Sequence, residues 1–96
     1  MTFEWDENKN KINRLKHGIS FNDACSSFYD DKAILFDDPD HSKDEERFLL
    51  VGMSNNAGVL IVSHCYRCMG EVIRIISARR ATRAESDYYY QGGGKL

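Results

Sequence analysis

The chain has 96 residues, of which 42% are hydrophobic, a size that supports one compact core and is too small for two independent domains. No apolar run approaches the roughly 20 residues that a membrane-spanning helix needs, and the first residues lack the basic-then-apolar order of a signal peptide. We therefore expect a single cytoplasmic domain. The cysteine count of three is odd, which argues against a disulfide framework and predicts free thiols.

The formal net charge of −2 hides an asymmetry between the two halves of the chain. Residues 1–46 hold 6 Lys/Arg and 12 Asp/Glu, a balance of −6, whereas residues 47–96 hold 7 and 3, a balance of +4. Six of the seven cations in the second half are arginines, whose planar fork matches a phosphate group. The composition suits an anionic partner, but the same arginines could instead solvate an exposed sheet face and pair with the acidic half.

Two helices are predicted in the first third of the chain. A polar stretch that follows Asp6 ends at Gly18, a position suited to a left-handed C-terminal cap, which predicts a helix over about 6–17. Ser20 begins a second stretch, over about 20–29, in which apolar residues recur at helical spacing. We interpret the cysteine of this stripe as a core residue and not as a nucleophile. The stripe consists of Phe21, Ala24, Cys25 and Phe28.

Four strands are predicted in the middle of the chain, each bounded by turn-forming residues. Asp37–Asp40 contains a proline among aspartates and closes the first strand, and Met69-Gly70 supplies a tight turn before the last one. The connections between the last three strands are too short for a parallel crossover, which predicts an antiparallel meander. The expected spans are about 33–36, 46–54, 58–67 and 71–78.

A final helix is predicted over about 81–90, because Thr82 and Glu85 have capping-box spacing. Residues 91–96 show no packing pattern and are expected to form a flexible tail after one domain of residues 1–90. The predicted fold class is α+β, with the element order α-α-β-β-β-β-α and a mainly antiparallel sheet. The three consecutive tyrosines of the last helix cannot all be buried on one face, so at least one is expected at the surface.

Several short motifs, taken in order, resemble the BrnT family of toxins. The N-terminal signature consists of Phe3–Lys9, Asn13 and Lys16–Phe21. The downstream pieces are Glu46-Arg47, Gly52-Met53-Ser54, Arg67, Arg74–Arg79, Glu85 and Tyr88. Each piece is weak alone, but a Lys-His-Gly turn and an Ile-Ser-Ala-Arg strand end at this separation form a more specific pair. The resemblance extends over almost the whole chain, from about residue 3 to residue 90.

The resemblance implies a fold similar to RelE-type toxins and a ribonuclease activity that arrests translation without a cofactor. It also implies neutralisation by a BrnA-type antitoxin, which is similar to ribbon-helix-helix DNA-binding proteins. We expect a heterotetramer of two toxins and two antitoxins. In such a complex the antitoxin would bind promoter DNA, and this chain would bind RNA.

Cleavage of RNA without a metal requires a group that accepts the 2′-hydroxyl proton, a donor for the leaving 5′-oxygen and cations for the phosphorane. Strand alternation places Arg74 and Arg79 on opposite faces unless the strand ends or bulges near Ala78. We therefore favour Arg79 as a catalytic cation, with Arg67 beside it. The other arginine candidates are Arg47 for catalysis, and Arg74 and Arg80 for RNA binding.

Two residues are candidates for proton transfer. His17 is placed at a helix C-terminus, where the dipole favours a protonated imidazole, so it could act as a general acid or a phosphate clamp, or only cap the helix. Glu46 could be a general base, but a carboxylate beside Arg47 could equally be one member of an ion pair. Lys16 could contact RNA or lie on a solvated flank.

No metal site is predicted. His64 and Cys65 point to opposite sides of their predicted strand, and Cys65 and Cys68 form the one Cys-x-x-Cys pair, without a second pair at zinc spacing.

Two other functions remain open from the sequence. The chain could be an inactive member of the family that keeps only antitoxin binding and acts as a corepressor module. It could also bind nucleic acid without catalysis, in which case its affinity would fall steeply with salt.

Overall fold

The computed structural model describes residues 1–93, and within them the chain forms five strands and three α-helices. The strands are β1 (Thr2–Glu4), β2 (Ile34–Asp37), β3 (Phe48–Met53), β4 (Val59–Arg67) and β5 (Val72–Arg80). The helices are α1 (Glu7–His17), α2 (Phe21–Ser26) and α3 (Arg83–Tyr90). Single 3₁₀ turns cover Ser27–Tyr29 and Pro39–His41.

The strands form one sheet in the order β1-β5-β4-β3-β2. β2 to β5 are antiparallel neighbours, which confirms the α+β class and the predicted meander. The predicted element order was wrong at its start, because Thr2–Glu4 forms an edge strand that pairs parallel with Val72, Ile73 and Arg74. Three residues are too few to show strand alternation, and their partner lies about seventy positions away, so no local pattern reveals this strand.

Local signals account for the helix boundaries. The Asp6 carboxylate accepts hydrogen bonds from the backbone N–H groups of Asn8 and Lys9, at 2.8 and 3.3 Å. Gly18 ends α1 in the left-handed region, with φ +72°, and donates its N–H to Arg14, as predicted. The second helix is shorter than predicted, because the chain tightens into a 3₁₀ turn after Ser26.

The sheet buries apolar side chains on both faces. Its first face packs against α2 and the segment before it; its second face packs against α3. The first core contains Ile19, Phe21, Ala24, Leu50, Leu60, Val62, Ile73, Ile75 and Ala78. The second contains Val51, Val59, Ile61 and Tyr89. The second core is the smaller of the two, so α3 covers only part of its face and leaves the rest open.

Close contacts hold the first 3₁₀ turn and α3 against β3. Gly52 lies so close to the first 3₁₀ turn that a Cβ there would come within 2.8 Å of the Ser27 carbonyl oxygen. The Tyr89 hydroxyl donates to the Asp30 carboxylate, which also accepts the backbone N–H of Met53, and this joins α3 to β3. Tyr89 is buried and Tyr90 is exposed, which confirms that the three tyrosines divide between core and surface.

The end of α3 continues into the residues that we expect to form a tail. The backbone N–H groups of Gln91, Gly92 and Gly93 bond back to carbonyls of the last helical turn. Residues 94–96 lie outside the described part of the chain.

An irregularity in the sheet shifts the alternation of β5. The register between β4 and β5 changes at Ser63/His64, where Ile76 is an extra residue of β5. Side chains that follow Ile76 therefore change face. Arg74 and Arg79 lie on the same face as a result, because their partners in β4, Cys65 and Ile61, are an even number of residues apart.

Asn13 of α1 completes the hydrogen bonding of β5 beside this irregularity. Its Nδ2 donates to the carbonyl oxygens of Ile19 and Ala78, at 2.9 and 2.8 Å, and its Oδ1 accepts the N–H of Ala78 at 3.1 Å. β1 pairs only with Val72–Arg74, so this amide takes the place of a neighbouring strand further along β5. The side chain is 5% exposed.

No helix within residues 1–93 combines the length and the apolar composition that are needed to cross a membrane.

Replacing Asn13 with alanine should destabilise the fold more than any surface change on the same helix. Asn13→Ala leaves the N–H and C=O of Ala78 without partners in a buried position, so we expect a loss of about 3 kcal/mol in the free energy of unfolding. Asn8→Ala, at an exposed site of α1, should cost about 0.5 kcal/mol or less. Urea denaturation of both variants measures the difference; equal losses would contradict the role of Asn13.

Candidate active site

A polar hollow of about 320 Å³ opens on the face of the sheet that α3 only partly covers. It is bounded by the end of α1, by the loop after β2 and by strands β3, β4 and β5. We call it the central hollow. Its polar residues are His17, Asp38, His41, Arg47, Ser63, Ser77 and Arg79, and Leu49, Ile61, Ile76 and Ala78 complete its wall.

The position of His17 follows from the attachment of α1 to β5. Asn13 holds the helix at Ala78, and His17 stands one helical turn later, beside the neighbours of Ala78. The carbonyl oxygen of His17 accepts a hydrogen bond from Nη1 of Arg80 at 3.3 Å, which fixes the last turn of α1 a second time. His17 therefore lines the hollow together with Ser77 and Arg79.

Arg79 is held by a bidentate ion pair with Glu85 of α3. Its Nη1 and Nη2 donate to the two carboxylate oxygens at 2.8 and 2.9 Å, and Nη1 also donates to the carbonyl oxygen of Arg80 at 3.3 Å. A guanidinium has five N–H donors, so one N–H of Nη2 and the N–H of Nε remain along its other edge after these three bonds. Those two N–H groups can donate to two oxygens of one phosphate group.

The Arg79–Glu85 pair also stabilises α3. Glu85 closes a capping box with Thr82, accepting the Thr82 N–H at 2.8 Å while the Thr82 hydroxyl accepts the Glu85 N–H at 3.2 Å. The hydrogen bonds from Arg79, supported by the Thr82 N–H, lower the pKa of the Glu85 carboxyl to about 2. The same carboxylate raises the pKa of Arg79, so both groups stay charged at neutral pH.

Arg47 lies between the hollow and the acidic loop that precedes it. Its Nη2 is 3.5 Å from Oε2 of Glu45, and its side chain is 30% exposed. Its Nε is buried and has no hydrogen-bond acceptor among residues 1–93. Buried donors without acceptors are uncommon in folded proteins, and this one belongs to a residue that lines the hollow.

Asp38 and His41 form a pair that was not predicted from the sequence, where Asp38 was assigned to a turn and His41 was not singled out. Nδ1 of His41 lies 3.1 Å from both carboxylate oxygens of Asp38, and their side chains are 66% and 13% exposed. Ser42 fixes the loop by donating to the Asp38 carbonyl oxygen and accepting the N–H of Arg47. The Asp-x-x-His spacing within a turn is a signal that could have drawn attention to this pair.

The family model described as "Ribonuclease toxin, BrnT, of type II toxin-antitoxin system" matches residues 5–85. The chain belongs to the BrnT family. The solved structure of the Brucella abortus ribonuclease toxin BrnT is similar to this chain, with a TM-score of 0.65 and 27% sequence identity over 86% of this chain and 99% of that one. No curated protein matches the sequence.

The resemblance drawn from the motifs is thus confirmed, and the matched residues include all those that line the central hollow. Membership of the BrnT family places the chain among the ribonuclease toxins of type II toxin-antitoxin systems and implies an antitoxin partner. Three of the predicted catalytic residues, His17, Arg47 and Arg79, are brought together in the hollow.

Arg67 does not lie beside Arg79 as the sequence analysis expected. Arg67 is opposite Val72 and Arg79 is opposite Ile61, so the two arginines stand at opposite ends of an antiparallel pair, about 20 Å apart along the strands. Two carboxylates, rather than the hollow, surround Arg67. Its Nε lies 3.6 Å from Glu4 and its Nη2 lies 3.5 Å from Glu45.

The other predicted residues also lie outside the hollow. Arg74 shares the face of Arg79, but its Nη1 donates to Glu4 at 2.9 Å. Arg80 reaches over to the end of α1, Lys16 is exposed on the last turn of that helix, and Glu46 is exposed beside the loop.

His64, the third histidine, is buried in the first core and not in the hollow. It packs edge to face against Phe28, with ring centroids 4.8 Å apart, and burial lowers the pKa of its imidazole. Cys65 points to the other face of β4, as strand alternation predicts.

The Arg79–Glu85 pair should make a small, pH-dependent contribution to stability in this BrnT-family protein. The pKa of Glu85 is below its ordinary value of 4.5, so the contribution is complete above about pH 4.5 and is lost as the pH falls towards 2. Glu85→Gln keeps the capping box, and both partners are over a third exposed, so at pH 7 it should cost about 1 kcal/mol or less.

Urea denaturation at several pH values measures this effect. Asp87→Asn, which removes the same charge from the same helix at an exposed site, is the matched control and should change stability less. A cost of Glu85→Gln that stays constant down to pH 2.5 would show that the ion pair is not its source.

Proposed function

We propose that this chain is a metal-independent endoribonuclease that cleaves single-stranded messenger RNA in the central hollow and thereby arrests translation. One observation carries the proposal: two imidazoles and two guanidiniums from four separate segments line one open hollow. Imidazole supplies proton transfer near neutral pH, and guanidinium supplies charge stabilisation. The family, whose members are named as ribonuclease toxins, agrees with this chemistry.

The reaction that suits these groups is attack by the 2′-hydroxyl on the adjacent phosphorus. His41 accepts the 2′-hydroxyl proton through Nε2, because Nδ1 faces the Asp38 carboxylate, which orients the ring. The 2′-oxygen bonds to phosphorus, and the bond from phosphorus to the 5′-oxygen breaks. His17 gives a proton to that oxygen, and the products are a 2′,3′-cyclic phosphate and a 5′-hydroxyl.

Arg79 and Arg47 stabilise the charge of the phosphorane. Arg79 offers the guanidinium edge that Glu85 does not occupy, and Arg47 lines the hollow with a side chain that is 30% exposed. Glu85 acts as a positioning residue, since it fixes the Arg79 fork but touches neither phosphate nor ribose in this scheme. We propose that four cationic residues contact the RNA outside the hollow: Arg67, Arg74, Arg80 and Lys16. Glu46 takes no part in the proposed reaction.

We propose a ribbon-helix-helix antitoxin of the BrnA type as the partner, in a complex of two toxins and two antitoxins that binds promoter DNA through the antitoxin. Family membership supports an antitoxin in general, and the motif resemblance supports this type. We also propose that the complex acts in the cytoplasm, where messenger RNA is translated.

A second function, an inactive antitoxin-binding module, is favoured by one observation. Arg67, Arg74 and Arg79 each pair with a carboxylate of the same chain, which leaves less of their charge for RNA. We rank this function second because the free edge of Arg79 and the histidines remain in the hollow.

Incubation of the purified chain with end-labelled RNA in excess EDTA separates the two functions. The enzyme should produce fragments with 2′,3′-cyclic phosphate and 5′-hydroxyl ends, and induced expression without antitoxin should stop growth. Intact RNA and normal growth, with antitoxin still bound, would establish the inactive module. Cleavage that requires a divalent metal would overturn the proposed chemistry.

A matched pair of substitutions tests the location of the site. Arg79→Lys keeps a positive charge. A lysine ammonium cannot make paired hydrogen bonds to Glu85 and to a phosphate at the same time, so kcat/KM should fall by about 100-fold. Arg67→Lys, the same change outside the hollow, should reduce it by about fivefold or less. A larger loss of kcat/KM at Arg67 than at Arg79 would place the active site at the opposite end of β4.

A further inference from the structure

A second cavity, of about 270 Å³, lies between α3 and the sheet. We call it the apolar cleft. In contrast to the central hollow, its wall is almost entirely hydrocarbon, and its one charged residue is Glu85. Its lining includes Phe36, Leu49, Ile61, Ala84, Glu85 and Tyr88.

We propose that the apolar cleft binds a nucleobase next to the phosphate that is cleaved in the central hollow. The inference rests on the proposed function and adds a base-binding subsite to it. The occupant is the heteroaromatic ring of one nucleotide, and the hollow holds its phosphate.

The two cavities are adjacent. Leu49 and Ile61 line both of them, so the hollow and the cleft share part of one floor on the sheet. The Arg79–Glu85 ion pair stands at the boundary, with Arg79 lining the hollow and Glu85 lining the cleft. A phosphate bound to the free edge of Arg79 therefore places its own nucleotide at the entrance to the cleft.

The aromatic lining suits a flat ring. Phe36 and Tyr88 have ring centroids 5.6 Å apart at an interplanar angle of 42°, so the two rings pack against each other and line the cleft with aromatic surface. Proteins that bind single-stranded RNA commonly stack unpaired bases on tyrosine and phenylalanine. Tyr88 is partly exposed, so the approach to its ring is open.

Charge favours the phosphate in the central hollow and the base in the apolar cleft. A phosphate group would lose its hydration in the apolar cleft and be repelled by Glu85, whereas Arg47 and Arg79 attract it in the hollow. A neutral base can place its weakly hydrated ring faces against the apolar wall, keep its polar edge at the open rim and donate an N–H to the rim carboxylate. The boundary between the cavities thus matches the boundary between base and phosphate within one nucleotide.

Binding of an uncleavable RNA tests the proposal without requiring catalysis. The probes are a fluorescent 2′-O-methyl octanucleotide and an abasic oligomer of the same length and charge, measured by anisotropy. Tyr88→Leu should weaken binding of the base-containing probe by about tenfold and leave the abasic probe unchanged. Tyr88→Phe keeps the ring and should bind both probes like the original chain.

Ala84→Leu provides a second variant that leaves the aromatic pair in place. Ala84 is exposed on α3 at the edge of the cleft, so a larger side chain there should narrow the entrance without disturbing the core. It should reproduce the selective loss of the base-containing probe. Thermal unfolding of each variant confirms that the fold is retained.

Each result decides between distinct conclusions. Equal losses for both probes, or no loss for either, would overturn the base subsite. Absence of RNA binding by the original chain would overturn both proposals. Base-selective binding that depends on Tyr88, together with no cleavage of natural RNA, would support the subsite and refute the endoribonuclease.

Discussion

The hydrogen bonds between the Asn13 amide and the backbone of Ala78 are the constraint on which the geometry of the hollow depends. β1 is too short to cover the edge of β5, so a side chain from α1 satisfies the backbone there instead. This attaches the middle of α1 to β5, and the hydrogen bond from Arg80 to the His17 carbonyl oxygen holds the end of the helix. His17 and Arg79 come from segments more than sixty residues apart, and that attachment brings them to the same cavity.

The bulge in β5 makes the second contribution. Regular alternation would have directed Arg74 and Arg79 to different faces, and the extra residue Ile76 removes that separation. The two arginines nevertheless have different surroundings, because Glu4 of β1 pairs with Arg74 whereas Glu85 of α3 pairs with Arg79. Arg79 lines the hollow, whereas Arg74 lies outside it beside the edge strand.

Much of the fold could be predicted from the sequence because its signals are local. The cap at Asp6, the left-handed Gly18 and the Thr82–Glu85 box are each contained within a few residues, and turn-forming residues bound the strands of the meander. The site was harder to predict. Proximity of Arg67 to Arg79 depends on which ends of antiparallel strands meet, and the Asp38–His41 pair lies in a turn whose side chains have no periodic pattern. The edge strand β1 depends on a partner that is distant in the chain.

Glu85 serves three neighbours with one carboxylate: the first turn of α3, the guanidinium of Arg79 and the rim of the apolar cleft. Substitutions at this position therefore cannot be interpreted one property at a time, since helix integrity, cation orientation and cavity shape change together. Selection acting on any one of these properties constrains the other two. Such shared dependence predicts strong non-additivity between changes at Glu85 and changes at residues on either side of it.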